Sequence, residues 1–234
     1  MRRAYLEYAN RDVDGVHDMG GMDGFGPVLE PGGEVAYTER WEPRVFAIHM
    51  VEELEDLGAG PGARAVREEM PAADYLAASY YQRWLFSVER RLERSGVIAP
   101  GEVEEMVRRL AQGEAAPTHR DAAMTKRIQA RMATVHPIDP PPDTVRFAPG
   151  QRVRVKRMDP AGHTRCPRYV RGVVGVVETV RGADRLPDRA TYGLETPREP
   201  VYSVAFASRE LWGPSDEGVW TVALDLWESY LEAP

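Results

Sequence analysis

The chain has 234 residues, 43% hydrophobic and 29% charged, with a formal net charge of -7. That balance fits a globular protein of one large or two small domains, and with no apolar run near the ~20 residues of a membrane helix it excludes a spanning segment. A lone cysteine excludes an internal disulfide and a cysteine-built metal cluster. Acidity argues against a dedicated nucleic-acid binder, and the polar stretch after Met1-Arg2-Arg3 lacks a secretory core, so the chain reads as cytoplasmic.

The segment "GVHDMGGMDGFGPV" (15–28) holds five glycines, too many for an element interior, and predicts an extended arm. It has neither GxxxxGK[ST] nor GxGxxG between strand and helix, so it is not a phosphate loop, and His17 beside Asp18 reads as a local pair. Helical periodicity follows. Trp41 to Leu57 is entered through Pro43 and closed by Gly58. Tyr81, Trp84, Leu85, Val88 and Leu92 share one helix face, with Ser95-Gly96 as the stop. Glu102–Ala111 and Ala122–Met132 complete an amphipathic helical layer.

Texture changes at "HPIDPPPDTVRFAPG" (136–150), whose five prolines suit neither helix nor ladder. Beyond it the period becomes two: "RVRVKRM" (152–158), "VVGVVETV" (173–180), "VYSVAF" (201–206) and "WTVALDLW" (220–227), with turn signals at Asp159-Pro160, Gly182 and Gly213-Pro214. The expectation is an α+β protein: an extended arm and helical domain over 1–135, a proline-rich linker over 136–150, and a small closed or nearly closed SH3-like β-barrel over 151–234.

Local chemistry is sparse. The five histidines are scattered without HExxH or paired spacing, GxSxG is absent, and no second element marks Cys166 as an activated nucleophile. Tyr80, Tyr81 and Trp84 fit a core face first and a pocket wall second. The basic loop "GHTRCPRYVRG" (162–172) carries Arg165, Arg168 and Arg171. It fits a solvated patch, an RNA-binding surface on a small barrel, or a guanidinium that reaches an oxyanion in a neighbouring subunit. The residues alone leave these three open.

The ordered set "GVHDMGGMDGFGPV", "ERW", "SYYQRWL", "GHTRCPRYVRG", "VYSVAFASRELWG" and "DLWESYLE", spread from Asp14 to Glu232, resembles the beta subunit of nitrile hydratase. The resemblance implies hydration of a nitrile to an amide, a lyase reaction, by a heterodimer or heterotetramer with an alpha subunit, and neither nucleic acid nor membrane as a partner. The metal, a non-corrin cobalt(III) or non-haem iron(III), is implied in that alpha subunit, in a claw with two oxidised cysteines. No metal ligand is expected here. Two arginines are implied at the oxidised cysteine oxygens: Arg165, the first arginine after "GH", and Arg64 in "RAVREEM", with Arg67 the runner-up. Tyr80 and Trp84 match the substrate pocket. Gly60, Pro61, Gly62 and Ala63 replace the larger residues of several relatives, and Met1–Val13 exceeds the usual start. Thiocyanate hydrolase shares the architecture but divides the beta-like part over two chains.

Overall fold

The computed structural model describes residues 15–22, 24, 37–134, 139–142, 144–214 and 218–234. Met1–Asp14, most of the second half of the glycine-rich segment and, in the linker, residues 136–138 and 143 lie outside the described residues. The chain divides into two compact units, one of residues 29–136 and one that joins residues 1–28 to 137–234.

The first unit is helical. Helix α1 (Glu42–Leu54) has Pro43 in its first turn, where a missing N–H costs nothing. The Glu42 carboxylate folds back to accept from the backbone N–H groups of Thr38 at 2.6 Å and Glu39 at 3.1 Å. Two short helices follow, α2 (Ala63–Arg67) and α3 (Ala72–Ala77). Helix α4 (Tyr80–Ser95) opens on a capping box between Ser79 and Gln82 and closes on Gly96 at φ +76°. Helices α5 (Glu102–Ala111) and α6 (Ala122–Met132) occupy the expected positions, the latter capped by Asp121. Helix α5 buries none of its residues fully: Val103 and Met106 are half-buried and Val107 is 59% exposed.

What ties α1 to α4 is an ion pair rather than apolar packing alone. Arg91 of α4 donates to the Glu52 carboxylate and, through Nη1, to the Pro61 carbonyl. Both side chains are buried. Around this pair the connecting loop is sewn down: Leu57 N–H reaches Glu52 O at 2.9 Å, and Ala59 N–H reaches Arg91 O at 3.1 Å. Gly58 is required by close approach, since a Cβ there would lie 2.0 Å from Glu52 Oε1. The pair thereby fixes where α2 begins.

The second unit is a five-stranded antiparallel sheet: β1 (Arg152–Val155), β2 (Val174–Arg185), β3 (Arg198–Ala207), β4 (Thr221–Trp227) and β5 (Leu231–Glu232), in the order β4-β3-β2-β1-β5. Its core of Phe147, Val153, Val155, Cys166, Val170, Val177, Tyr202, Val204, Phe206, Leu226, Tyr230 and Leu231 is drawn from alternate strand positions and the loops that cover them. The sheet is open, where the sequence predicted a closed or nearly closed barrel: β4 and β5 remain edges, and the two residues of β5 are spent pairing with β1. Gly182, read as a turn, instead lies inside β2 at one of two register shifts against β3. A bulge there bends the strand without ending it. The short helices α7 (Pro187–Ala190) and α8 (Ser208–Trp212) flank β3, and the Pro-rich segment joins the sheet unit through a bridge between Asp139 and Ala183.

Burial alone would raise the pKa of Glu52, but hydrogen bonds and charge from His49 and Arg91 hold it below the usual carboxylate range. A depressed carboxylate contributes stability above its ordinary pKa and loses it as pH falls through the folded value. Arg91→Met removes the guanidinium from buried Glu52, leaving His49 as its neighbour, and should cost about 3–5 kcal/mol at neutral pH, measured by urea unfolding. The gap to the unmodified chain should narrow in acid, as Glu52 becomes protonated in both.

Candidate functional site

In the helical unit, Arg64 and Arg67 sit on α2. Ala63, Ala65 and Val66 are buried, so the short helix is anchored by its small apolar side while Arg64 is exposed. Arg67 turns inward and lies over the Trp84 ring at 4.4 Å, a cation–π contact. Burial, and then the nearby charge of Arg64, push the Arg67 guanidinium below its usual range; it stays charged at any ordinary pH.

Trp84 is the hub of an aromatic cluster. His49 meets it edge-on at 4.6 Å, Tyr80 at 5.6 Å, Tyr81 at 5.8 Å and Phe46 at 6.1 Å. Tyr80, at the first turn of α4, is 61% exposed. The aromatic face is therefore a half-open wall rather than the buried core that spacing alone favours. Arg67 Nε and Trp84 Nε1 are buried donors without an acceptor among the described residues. Such donors are costly unless an arriving acceptor satisfies them.

In the sheet unit, the arginine loop runs between β1 and β2 and includes one 3-10 turn, Arg168–Val170. Arg165 is exposed, but its backbone is held on both sides. Its N–H donates to Tyr230 Oη at 3.3 Å, and Tyr230 in turn donates to the Asp188 carboxylate. The next carbonyl, Cys166 O, accepts from Arg171 Nη2 at 3.1 Å and Nε at 3.2 Å. Arg171 also donates to Met158 O at 3.3 Å and pairs with Asp18 at 3.5 Å. Burial raises the pKa of Asp188 against hydrogen bonds from Tyr230 and Thr164, and burial beside Asp188 raises that of Tyr230.

Cys166 faces the sheet core, where burial pushes its thiol up to about 12. A thiol so placed is neither nucleophile nor metal ligand at neutral pH. His49, Glu52 and Glu53 place ligand atoms within 4.8 Å of one another, but the Arg91 guanidinium already engages both carboxylates, and a cation there opposes a metal ion. The residues present do not fit a thiolate-bound cobalt or iron.

Sequence reasoning missed Asp18 and Tyr230 as the supports of the loop. Beyond the local pairing with His17 that the sequence suggests, the Asp18 carboxylate serves arginines 150 and more residues away. No local pattern reports such a pairing.

A helical unit and a sheet unit each present an exposed arginine on a braced segment. The family model for the nitrile hydratase beta subunit N-terminal region matches residues 13–130, and that for the C-terminal region matches residues 137–233. The chain belongs to the nitrile hydratase beta subunit family. It is 32% identical over 227 residues to the cobalt-containing nitrile hydratase subunit beta of Pseudonocardia thermophila, covering 94% of this chain and 96% of that protein. It is 33% identical over 230 residues to the nitrile hydratase subunit beta of Pseudomonas putida, covering 94% and 99%. A low-molecular weight cobalt-containing nitrile hydratase subunit beta of Rhodococcus rhodochrous is 29% identical over 223 residues, again covering 94% and 99%. Among solved structures, a recombinant thiocyanate hydrolase apo-enzyme from Thiobacillus thioparus matches 51% of this chain and 100% of its own at 27% identity, with a TM-score of 0.40.

Two outcomes are expected. Iodoacetamide should label Cys166 slowly in the folded chain and rapidly in urea, read by mass spectrometry. Tyr230→Phe, which removes the donor to a buried carboxylate, should lower unfolding stability by about 1–3 kcal/mol, measured by urea titration.

Proposed function

We propose that the chain works as the beta subunit of a nitrile hydratase, converting nitriles to amides in a cytoplasmic complex with an alpha subunit that carries cobalt(III) or iron(III). The observation that carries this reading furthest is an exposed arginine on a loop whose backbone is fixed on both sides of it. A charged group that only kept the chain soluble would need no such bracing.

The division of labour follows from the donor set. The metal supplies Lewis-acid chemistry from the partner. This chain supplies Arg165 and Arg64, which hold oxyanions of the oxidised cysteine claw with charge-assisted bonds that no proton loss can weaken. Tyr80 and Trp84 line the substrate wall. The buried, unsatisfied Trp84 and Arg67 donors support a polar arrival at that wall. The small residues Gly60 to Ala63 before Arg64 leave room for a bulkier nitrile. Relatives named cobalt-containing support a metal in the complex. Matches across 94% of one continuous chain favour nitrile hydratase over the divided arrangement of thiocyanate hydrolase.

Co-expression with an alpha-type subunit and metal should yield a complex that releases amide from nitrile. In it, Arg165→Ala and Arg64→Ala should each lower kcat by about 10²–10³, the scale for losing one preorganised electrostatic contact, with circular dichroism of the chain unchanged. Near-normal turnover in both variants contradicts the assignment.

A further inference from the structure

The glycine-rich arm and the arginine loop meet in the sheet unit at two separate anchors. The first is Asp18. Its Oδ2 accepts from Arg168 N–H at 2.9 Å and from Arg171 Nη2 at 3.5 Å, while its carbonyl accepts from Arg168 Nη2 at 3.3 Å. The Asp18 and Arg171 side chains are 10% and 8% exposed, so the pair is shielded from water. The second anchor is backbone against rings. Tyr169, Trp212 and Trp220 form a stacked ladder with centroids 5.8 and 5.0 Å apart. Gly20 and Gly21 lie flat against it: a Cβ on Gly20 would sit 2.5 Å from the Tyr169 ring, and one on Gly21, at φ +75°, 2.5 Å from Trp212 Nε1. Only glycine permits that approach at both positions.

We propose that Asp18 is a positioning residue for Arg165, acting through Arg171, and that the glycine-rich arm is a clasp that sets the arginine loop for its partner. This rests on the reading of Arg165 given above. Asp18 compensates the buried Arg171 guanidinium, and the compensated fork holds Cys166 O, one peptide from Arg165. Without that carboxylate the buried Arg171 guanidinium loses a charged partner, its grip on Cys166 O loosens, and the brace on the C-terminal side of Arg165 weakens.

The test is a double-mutant cycle read as affinity of the full chain for the alpha-type subunit, with kcat of the assembled enzyme as a second readout. Asp18→Ala should weaken the complex about tenfold, and by less than about twofold when Arg165→Ala is already present. Gly21→Ala, which loosens the arm while sparing Asp18, should repeat the pattern. Asp18→Asn, which keeps an acceptor for Arg168 N–H, should fall between. Losses that add fully across the two backgrounds, or no loss in Asp18→Ala and Gly21→Ala, overturn the proposal. If Arg165→Ala alone is silent in both affinity and turnover, the reading of Arg165 falls and this proposal with it. If Arg165→Ala is damaging and the losses add, only the clasp falls.

Discussion

A guanidinium cannot escape burial by giving up its proton, so a fold that buries one must surround it with acceptors. Among the described residues, Arg91 in the helical unit and Arg171 in the sheet unit are held in this way. Arg91 takes the Glu52 carboxylate and the Pro61 carbonyl; Arg171 takes the Asp18 carboxylate and the carbonyls of Cys166 and Met158. In both cases the gripped carbonyl lies within a few residues of an exposed arginine, Arg64 in one unit and Arg165 in the other. Apolar packing alone would not fix those segments. A buried ion pair adds little net stability over a hydrophobic substitute, yet losing half of it is severe, which makes it a device for geometry more than for stability.

That arrangement answers how so much positive charge fits an acidic protein. Some of the arginines in the loop are internal struts, and Arg165 is the one proposed to meet a partner. Arg171 is buried and saturated, Arg168 is tied to the arm, and Arg165 is presented at the surface with its backbone held. An RNA-binding surface would leave such guanidiniums open along a track, free to meet successive phosphates. Here Arg168 and Arg171 are committed to carbonyls and a carboxylate. On the proposed division of labour, with the reaction centre in the partner, few arginines are needed, held precisely, and the donor set of this chain matches that need better than it matches a metal site.

Long elements were legible in the sequence because their periodicity extends over enough residues to be read. The 16 residues of α4 carry both a capping serine and a terminal glycine, and Asp121 marks the start of α6. Strands β1, β3 and β4 followed from alternation and β-branching. Helices of four to six residues, α2, α3, α7 and α8, gave no period to count. Gly182 was misread because glycine marks a bulge and a turn alike. Closure of the sheet depends on whether two distant edges meet, which no local pattern reports. The apolar stripe of α5 is at most half-buried, which its periodicity does not report. For the site, the motif order pointed to Arg64, Arg165, Tyr80 and Trp84, but Asp18 and Tyr230 act across long sequence separations and became visible only as geometry. The double glycine after Asp18 was the sole local hint of a close approach.

The central proposal is that each unit meets the partner through a braced segment of its own, around Arg64 in one and around Arg165 in the other. Hydrogen–deuterium exchange of the chain alone and in complex with an alpha-type subunit tests it most directly. The account predicts that residues 60–70 and 162–172 gain protection on complex formation, beyond the stability already given by their internal bonds. Protection confined to other segments, with both of these unchanged, would contradict it.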